Sequence, residues 1–220
     1  MRGLFFLVIA LFITSCGDSR QTDYYYDDFP GTTGEKVWNL SQFPLIINVP
    51  FELAEFGDQI QAAGDKWSAA LGFEAFVFDY GIPNYQYSSV REPLEDSFFG
   101  IFGQELWELT DSKGNDLEHS VLAITTIASL DGTIVHADIV FNFDFHSFGD
   151  VNNPERGFEL ITVDFESVMI HELGHYLGLG HVSVAEDPDS VMKASLNRGE
   201  ERRSLSIQDG ERIRRLYINL

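Results

Sequence analysis

Eleven consecutive residues, His171-Glu172-Leu173-Gly174-His175-Tyr176-Leu177-Gly178-Leu179-Gly180-His181, constrain this chain more than any other feature. They place three imidazoles and one carboxylate at spacings suited to a zinc hydrolase. On a helix, His171 and His175 are four residues apart and share a face, so both reach one ion. Glu172 then stands beside the ion, where a carboxylate can take a proton from metal-activated water. Gly178 admits a backbone turn that a β-carbon would obstruct, letting the chain swing His181 back as a third ligand. Three protein ligands leave the fourth zinc position open, which marks a catalytic site rather than a structural one. By chance the five fixed positions would recur in a chain of this length about once in a hundred thousand, so they are read as a site and not as an ordinary polar helix.

The amino terminus is expected to lie outside the fold. Arg2 supplies a positive start, residues 4–13 are apolar, and Ile13-Thr14-Ser15-Cys16 follows. The run is too short to span a bilayer as a mature helix, so residues 1–15 read as an export signal. The tetrapeptide resembles a bacterial lipobox, with Ile13 where leucine is commoner. That resemblance implies cleavage before Cys16 and lipid on its sulfur, giving a membrane-anchored lipoprotein of the cell envelope. Gly17 rather than aspartate follows, which favours the outer membrane where a cell has one; the alternative is a secreted protein. Residues 16–35, with Asp23-Tyr24-Tyr25-Tyr26-Asp27-Asp28 and Pro30-Gly31-Thr32-Thr33-Gly34, read as a tether. Residues 36–220 are expected to form one catalytic domain, monomeric and without an internal disulfide, since Cys16 is the only cysteine.

Charge narrows the partners. Asp and Glu number 35 against 14 Lys and Arg, a net charge of -21. Such acidity argues against nucleic acid and anionic lipid surfaces as partners, and is equally compatible with a domain held off the membrane, with cationic substrates or with a saline habitat. No loop has the EF-hand pattern for calcium.

Within the domain, residues 45–49 read as a strand stopped by Pro50. Residues 53–71 carry apolar residues at helical spacing, with Trp67 turned into the core. Residues 73–78 form a next strand. Residues 81–114, punctuated by Pro83, Pro93 and Gly100, read as a loop with a short helix whose aromatic residues fill an edge of the core. Residues 121–130 and 134–143 form a hairpin joined at Asp131-Gly132. Asp164 caps the helix leading into the zinc motif, with Val168, Met169 and Leu173 inside. Residues 206–220 close the chain as a helix. The pattern shows no repeat and no phosphate-binding glycine loop.

The extended motif resembles that of the metzincins, a clan of zinc endopeptidases, and its flanks resemble the matrixin branch. Ala137-Asp138-Ile139-Val140-Phe141-Asn142-Phe143 is similar to the strand bordering the substrate cleft in that family. Ser190-Val191-Met192 is similar to its Met-turn, and residues 206–217 to its closing helix. The resemblance implies an α+β fold: a twisted, mixed five-stranded sheet, three main helices, and a cleft between two subdomains. It further implies one catalytic Zn2+ on His171, His175 and His181, Glu172 as general base, and Met192 supporting the site from below. Ile139, Val140, Phe141, Asn142 and Phe143 would pair with an extended substrate, as β-augmentation permits. Lys193 and Ala194 depart from the aromatic-proline pair frequent after the Met-turn. His146, Gly149 and Asp150 only faintly resemble the loop that holds a second metal in matrixins, so structural Ca2+ or a second Zn2+ is unsupported; His119 and His136 read as surface or strand histidines. The activity implied is hydrolysis of internal peptide bonds. The alternatives are a catalytically inactive surface peptide-binding module and a zinc amidase acting on cell-wall peptides.

Overall fold

The computed structural model describes residues 10–18, 36–111, 113–153, 155–156, 159–160 and 163–218. In chain order its strands are β1 (Ala10–Asp18), β2 (Leu45–Pro50), β3 (Phe76–Ile82), β4 (Ile101–Gln104), β5 (Val121–Leu130) and β6 (Thr133–Asn142), followed by the two-residue strands β7 (Phe148–Gly149), β8 (Glu155–Arg156), β9 (Glu159–Leu160), β10 (Val163–Asp164) and β11 (Ser195–Leu196). The α-helices are α1 (Gly57–Leu71), α2 (Phe165–Tyr176) and α3 (Ile207–Tyr217).

The hairpin of β5 and β6 forms as expected. Asp131 and Gly132 take φ of 49° and 82°, the paired positive values that let a two-residue turn follow the twist of its strands. Parallel pairing continues from β6 to β4. A bridge between Asn48 and Gly100 carries it on to β2, which runs parallel to β3. The order is therefore β3-β2-β4-β6-β5, continued beyond β5 by β1 and β11, and β5 alone runs antiparallel to the rest. A mixed sheet and three α-helices make up the α+β fold that the resemblance implied.

Both faces of the sheet are buried. Ile139 and Phe141 join the main core with α1 and α2. Val140, pointing the other way, joins a smaller core with Tyr87, Val90, Phe102, Trp107 and Leu109. Segment 81–114 supplies most of that second core, as its aromatics suggested, but it also contains β4, which the sequence reading missed. All four β4 residues are buried, so the strand has no polar alternation to reveal it.

One further expectation needs correction. Ile139, Val140, Phe141 and Asn142 lie in β6, whose backbone is paired on one side with β5 and on the other with β4. Phe143 continues from it, its N–H donating to the Gln104 carbonyl. These five residues therefore present no free edge to a substrate. A strand buried on both faces reads as a continuous apolar run, and such a run does not reveal whether it is central or at an edge. At the amino terminus, residues 10–18 form β1, which runs antiparallel to β5 and parallel to β11. An unpaired β5 edge would leave a row of backbone donors and acceptors, and an apolar segment rich in β-formers fills it. Residues 1–9 of the expected signal and 19–35 of the expected tether lie outside the described residues. Among the described residues no helix is long and apolar enough to cross a membrane.

Helix α2 is buried on every side over its twelve residues. It begins at Asp164, whose carboxylate accepts the Ser167 N–H at 2.9 Å and is held by the Arg203 guanidinium. It ends in a Schellman turn: Gly178 N–H donates to His175 O at 2.7 Å and Leu179 N–H to Gly174 O at 3.0 Å. Gly178 has φ +91°, and a β-carbon there would sit 2.0 Å from the Lys36 carbonyl oxygen. Gly180, two residues on, has nothing within 4 Å of such a carbon. Gly178→Ala is therefore expected to cost about 2–4 kcal/mol, through combined strain and overpacking, while Gly180→Ala stays within about 0.5 kcal/mol. Chemical denaturation of the two variants checks this; equal stabilities would refute the account.

Candidate metal centre and active site

The turn that ends α2 also sets the ligands. Leu179 O, presented by the Schellman turn, accepts a hydrogen bond from His175 Nδ1 at 2.7 Å. His171 Nδ1 donates to Val191 O at 2.8 Å. A carbonyl only accepts, so both Nδ1 atoms carry the proton and both Nε2 atoms carry a lone pair. These lone pairs face one another. The Nε2 atoms of His171 and His175 are 2.9 Å apart, those of His175 and His181 3.1 Å, and those of His171 and His181 3.3 Å. His171 and His175 are buried and His181 is exposed, so the cluster opens on the His181 side.

Converging lone pairs at these distances repel unless a cation lies among them. Protonation is opposed. Burial, aided by His181 nearby, pulls the His171 imidazole down to about 3. Burial and the neighbouring histidines hold His175 well below its ordinary range. The donors and their spacing therefore fit a tetrahedral Zn2+ with three imidazoles and one position left over.

Glu172 is wholly buried beside the cluster. Its Oε2 accepts the Thr125 hydroxyl of β5 at 2.6 Å, while Oε1 accepts no hydrogen bond. Burial pushes the carboxyl up to about 8, although the Thr125 hydroxyl pulls the other way. A divalent cation alongside would favour the ionised form and offset part of that rise.

Beneath the histidines lies the segment 190–192. Met192 is fully buried and packs so closely under α2 that a β-carbon on Gly174 would lie 2.3 Å from its Sδ. This turn is fastened from α3. Asp209 accepts the Ser190 hydroxyl at 2.6 Å and the Val191 N–H at 2.9 Å, and the Ser190 hydroxyl oxygen accepts the Met192 N–H at 2.9 Å. A continuous chain of hydrogen bonds thus runs from Asp209 through Val191 to His171.

The structure brings together His171, His175, His181, Glu172 and Met192. It does not bring the segment 139–143 to a free edge, and Cys16 lies in β1. His146 is buried, with Nε2 3.0 Å from His119 O; Asp150 pairs instead with Arg203 at 2.6 Å. Thr125 and Asp209 escaped sequence reading. Asp209 left a trace, since Ser206 and Asp209 form a capping box at the start of α3; Thr125 left none.

Two outcomes follow. Asp209→Ala strands the Ser190 hydroxyl and the Val191 N–H, and is expected to lower stability by about 2–4 kcal/mol and weaken Zn2+ affinity roughly 10–100-fold. Competition with a chromogenic chelator reads the affinity; unchanged affinity would sever the link between α3 and His171. In chelated protein, folded Glu172 holds its proton from pH 4.5 to about 8, a window where the unfolded chain has released it. Its ionisation therefore costs stability progressively as pH rises through that window. The advantage of Glu172→Gln over wild type should grow by about 1 kcal/mol per pH unit between pH 5 and 8 and then level off. An advantage constant across that range would contradict the buried, proton-holding state.

The matrixin family model matches residues 102–218, more than half of the chain, including α2, the 190–192 turn and α3. Curated relatives include Metalloendoproteinase 2-MMP of Arabidopsis thaliana, 40% identical over 92 residues, with 39% of this chain and 24% of that protein covered. Metalloendoproteinase 5-MMP of the same plant is 36% identical over 94 residues, covering 39% and 25%, and Metalloendoproteinase 1-MMP is 34% identical over 90 residues, covering 39% and 24%. The chain thus spans about a quarter of the length of these relatives.

Proposed function

The chain belongs to the matrixin family, and from that premise we propose that it is a zinc-dependent endopeptidase cutting internal peptide bonds of proteins. The observation that carries the proposal is the convergence of three Nε2 atoms within 3.3 Å of one another, next to a buried carboxylate with one oxygen free of hydrogen bonds.

His171, His175 and His181 would hold the ion through Nε2, with the Nδ1 bonds to Val191 O and Leu179 O fixing tautomer and ring orientation. Bound there, Zn2+ supplies Lewis acidity to water and to the scissile carbonyl. Glu172 Oε1 takes the proton from the attacking water, and the same carboxyl returns it to the departing amine. Thr125 keeps Oε2 engaged, so that the proton moves through Oε1. No side chain needs to form a covalent acyl intermediate.

The substrate, in this reading, lies extended between β5 and β11 in the position β1 takes. Antiparallel pairing to β5 and parallel pairing to β11 support it, because they define a strand-wide slot lined by backbone donors and acceptors. Export and lipid attachment at Cys16, with an outer-membrane location, belong to the same proposal and rest on the lipobox-like sequence. Cleavage before Cys16 would remove residues 10–15 from β5 and open most of the slot. We take the working form as a monomer acting on protein or peptide, not on nucleic acid.

Incubating a peptide library with zinc-loaded protein, beside Glu172→Ala and a chelated sample, tests the activity. Internal cleavage should fall by at least about 100-fold in the variant and vanish on chelation, with the variant still folded and zinc-bound. No internal cleavage by folded, zinc-loaded wild type would sink the endopeptidase reading. Full activity in Glu172→Ala would remove the general-base role. Comparing the full chain with protein lacking residues 1–15 tests the slot: the shorter form should be the faster, and equal rates would place the substrate elsewhere.

A further inference from the structure

A second set of side chains converges on the opposite face of the sheet. His136 and Asp138, two apart on β6, project to one side, the side on which Val140 enters the smaller core. The odd-numbered neighbours Ala137, Ile139 and Phe141 face the main core and α2. Asp96 comes from the segment just before β4. Ligand atoms of Asp96, His136 and Asp138 lie within 4.8 Å of one another.

The bonding around Asp138 is incomplete. Its Oδ1 accepts the Gly100 N–H at 2.8 Å. Its Oδ2, on a side chain with no exposed surface, has His136 Nε2 at 3.0 Å as its one close partner, at an angle too poor for a well-formed hydrogen bond. The same Nε2 is 2.9 Å from the Phe98 carbonyl oxygen. One imidazole nitrogen has at most one proton to offer, and two oxygens face it. Asp96 adds a further carboxylate, anchored by the Phe98 N–H at 2.7 Å and the Tyr87 hydroxyl at 2.8 Å. Two carboxylates and a single imidazole thus cluster within 4.8 Å, with the Phe98 carbonyl beside them, and a buried carboxylate oxygen that must share its one donor with a carbonyl is poorly satisfied.

We propose that Asp96, His136 and Asp138 form a second metal site, taking a divalent ion of the zinc class, with the Phe98 carbonyl as a further donor. An imidazole nitrogen with carboxylate oxygens suits Zn2+ better than Ca2+, which takes six or more oxygens. Bonds of about 2.0–2.2 Å span donor separations like those observed between Nε2, Oδ2 and the Phe98 oxygen. The ion would satisfy Oδ2, replace the shared proton of His136, and pin segment 96–100 to β6. Its role is structural, and the site stands whether or not the peptidase reading holds, since it shares no residue with the histidine cluster of α2.

The test is metal stoichiometry on the full chain, stripped with chelator, reloaded with excess Zn2+, passed through a desalting column and measured by elemental analysis. Wild type should retain two ions. Asp96→Asn and His136→Asn should each retain one, and His171→Ala should lose the other. A matching titration with Ca2+ should show no binding at this site. Asp138→Asn is less suitable alone because its side chain is wholly buried; the partly exposed Asp96 gives a variant that keeps the fold, verified by circular dichroism. One ion in wild type, two in both Asp96→Asn and His136→Asn, or occupation by Ca2+ in preference to Zn2+ would each overturn the proposal.

Discussion

Two main-chain carbonyls hold the site together. Val191 O and Leu179 O take the Nδ1 protons of His171 and His175 and so aim both free nitrogens at one point. Every neighbouring feature can be traced to the need to present those carbonyls. The Schellman turn places Leu179, and it requires the positive φ of Gly178. The 190–192 turn places Val191, and it requires Asp209 of α3. A histidine with a rotating ring could meet a metal in several ways; one with its far nitrogen tied to the backbone meets it in a single orientation.

The depth of α2 makes that arrangement costly without an ion. A helix buried on all sides holds two imidazoles and a carboxylate away from water. Burial drives the histidines toward neutrality and Glu172 toward its protonated form. The tendencies are opposite in charge but have one cause, and one divalent ion relieves both. Tryptophans brace the helix at its middle and its C-terminal end: Trp67 Nε1 donates to Ile170 O at 2.9 Å and Trp38 Nε1 to Tyr176 O at 2.7 Å. Each bond satisfies a carbonyl within a wholly apolar packing environment.

The legible parts of this molecule are those where one residue type answers one local demand. The motif spacing, Asp164 as a cap, Asp131-Gly132 as a turn and Gly178 as a left-handed position all met that condition, and each stands where expected. What sequence could not convey was lateral order in the sheet. Strand β6 resembles a cleft-bordering strand in its residues, yet it lies between β4 and β5 with both edges paired. Strand β4, four buried residues long, gave no periodicity at all. Thr125 and Asp209 act through contacts 47 and 19 residues away along the chain, and no local pattern encodes such distances. The pairing of His136 and Asp138 on one face is the same kind of blind spot, since Asp96 joins them only through the fold.

The placement of Asp209 has a consequence for the order in which the chain is made. His171, Glu172, His175 and His181 are all synthesised before α3 exists. Until Asp209 arrives to fasten Ser190 and Val191, and Tyr217 donates its hydroxyl to Leu177 O at 2.9 Å, the histidines lack the frame that orients them. A growing chain can therefore carry all three imidazoles and the carboxylate through the ribosome's vicinity without their final arrangement, and the histidine cluster takes that arrangement in one late step as α3 docks.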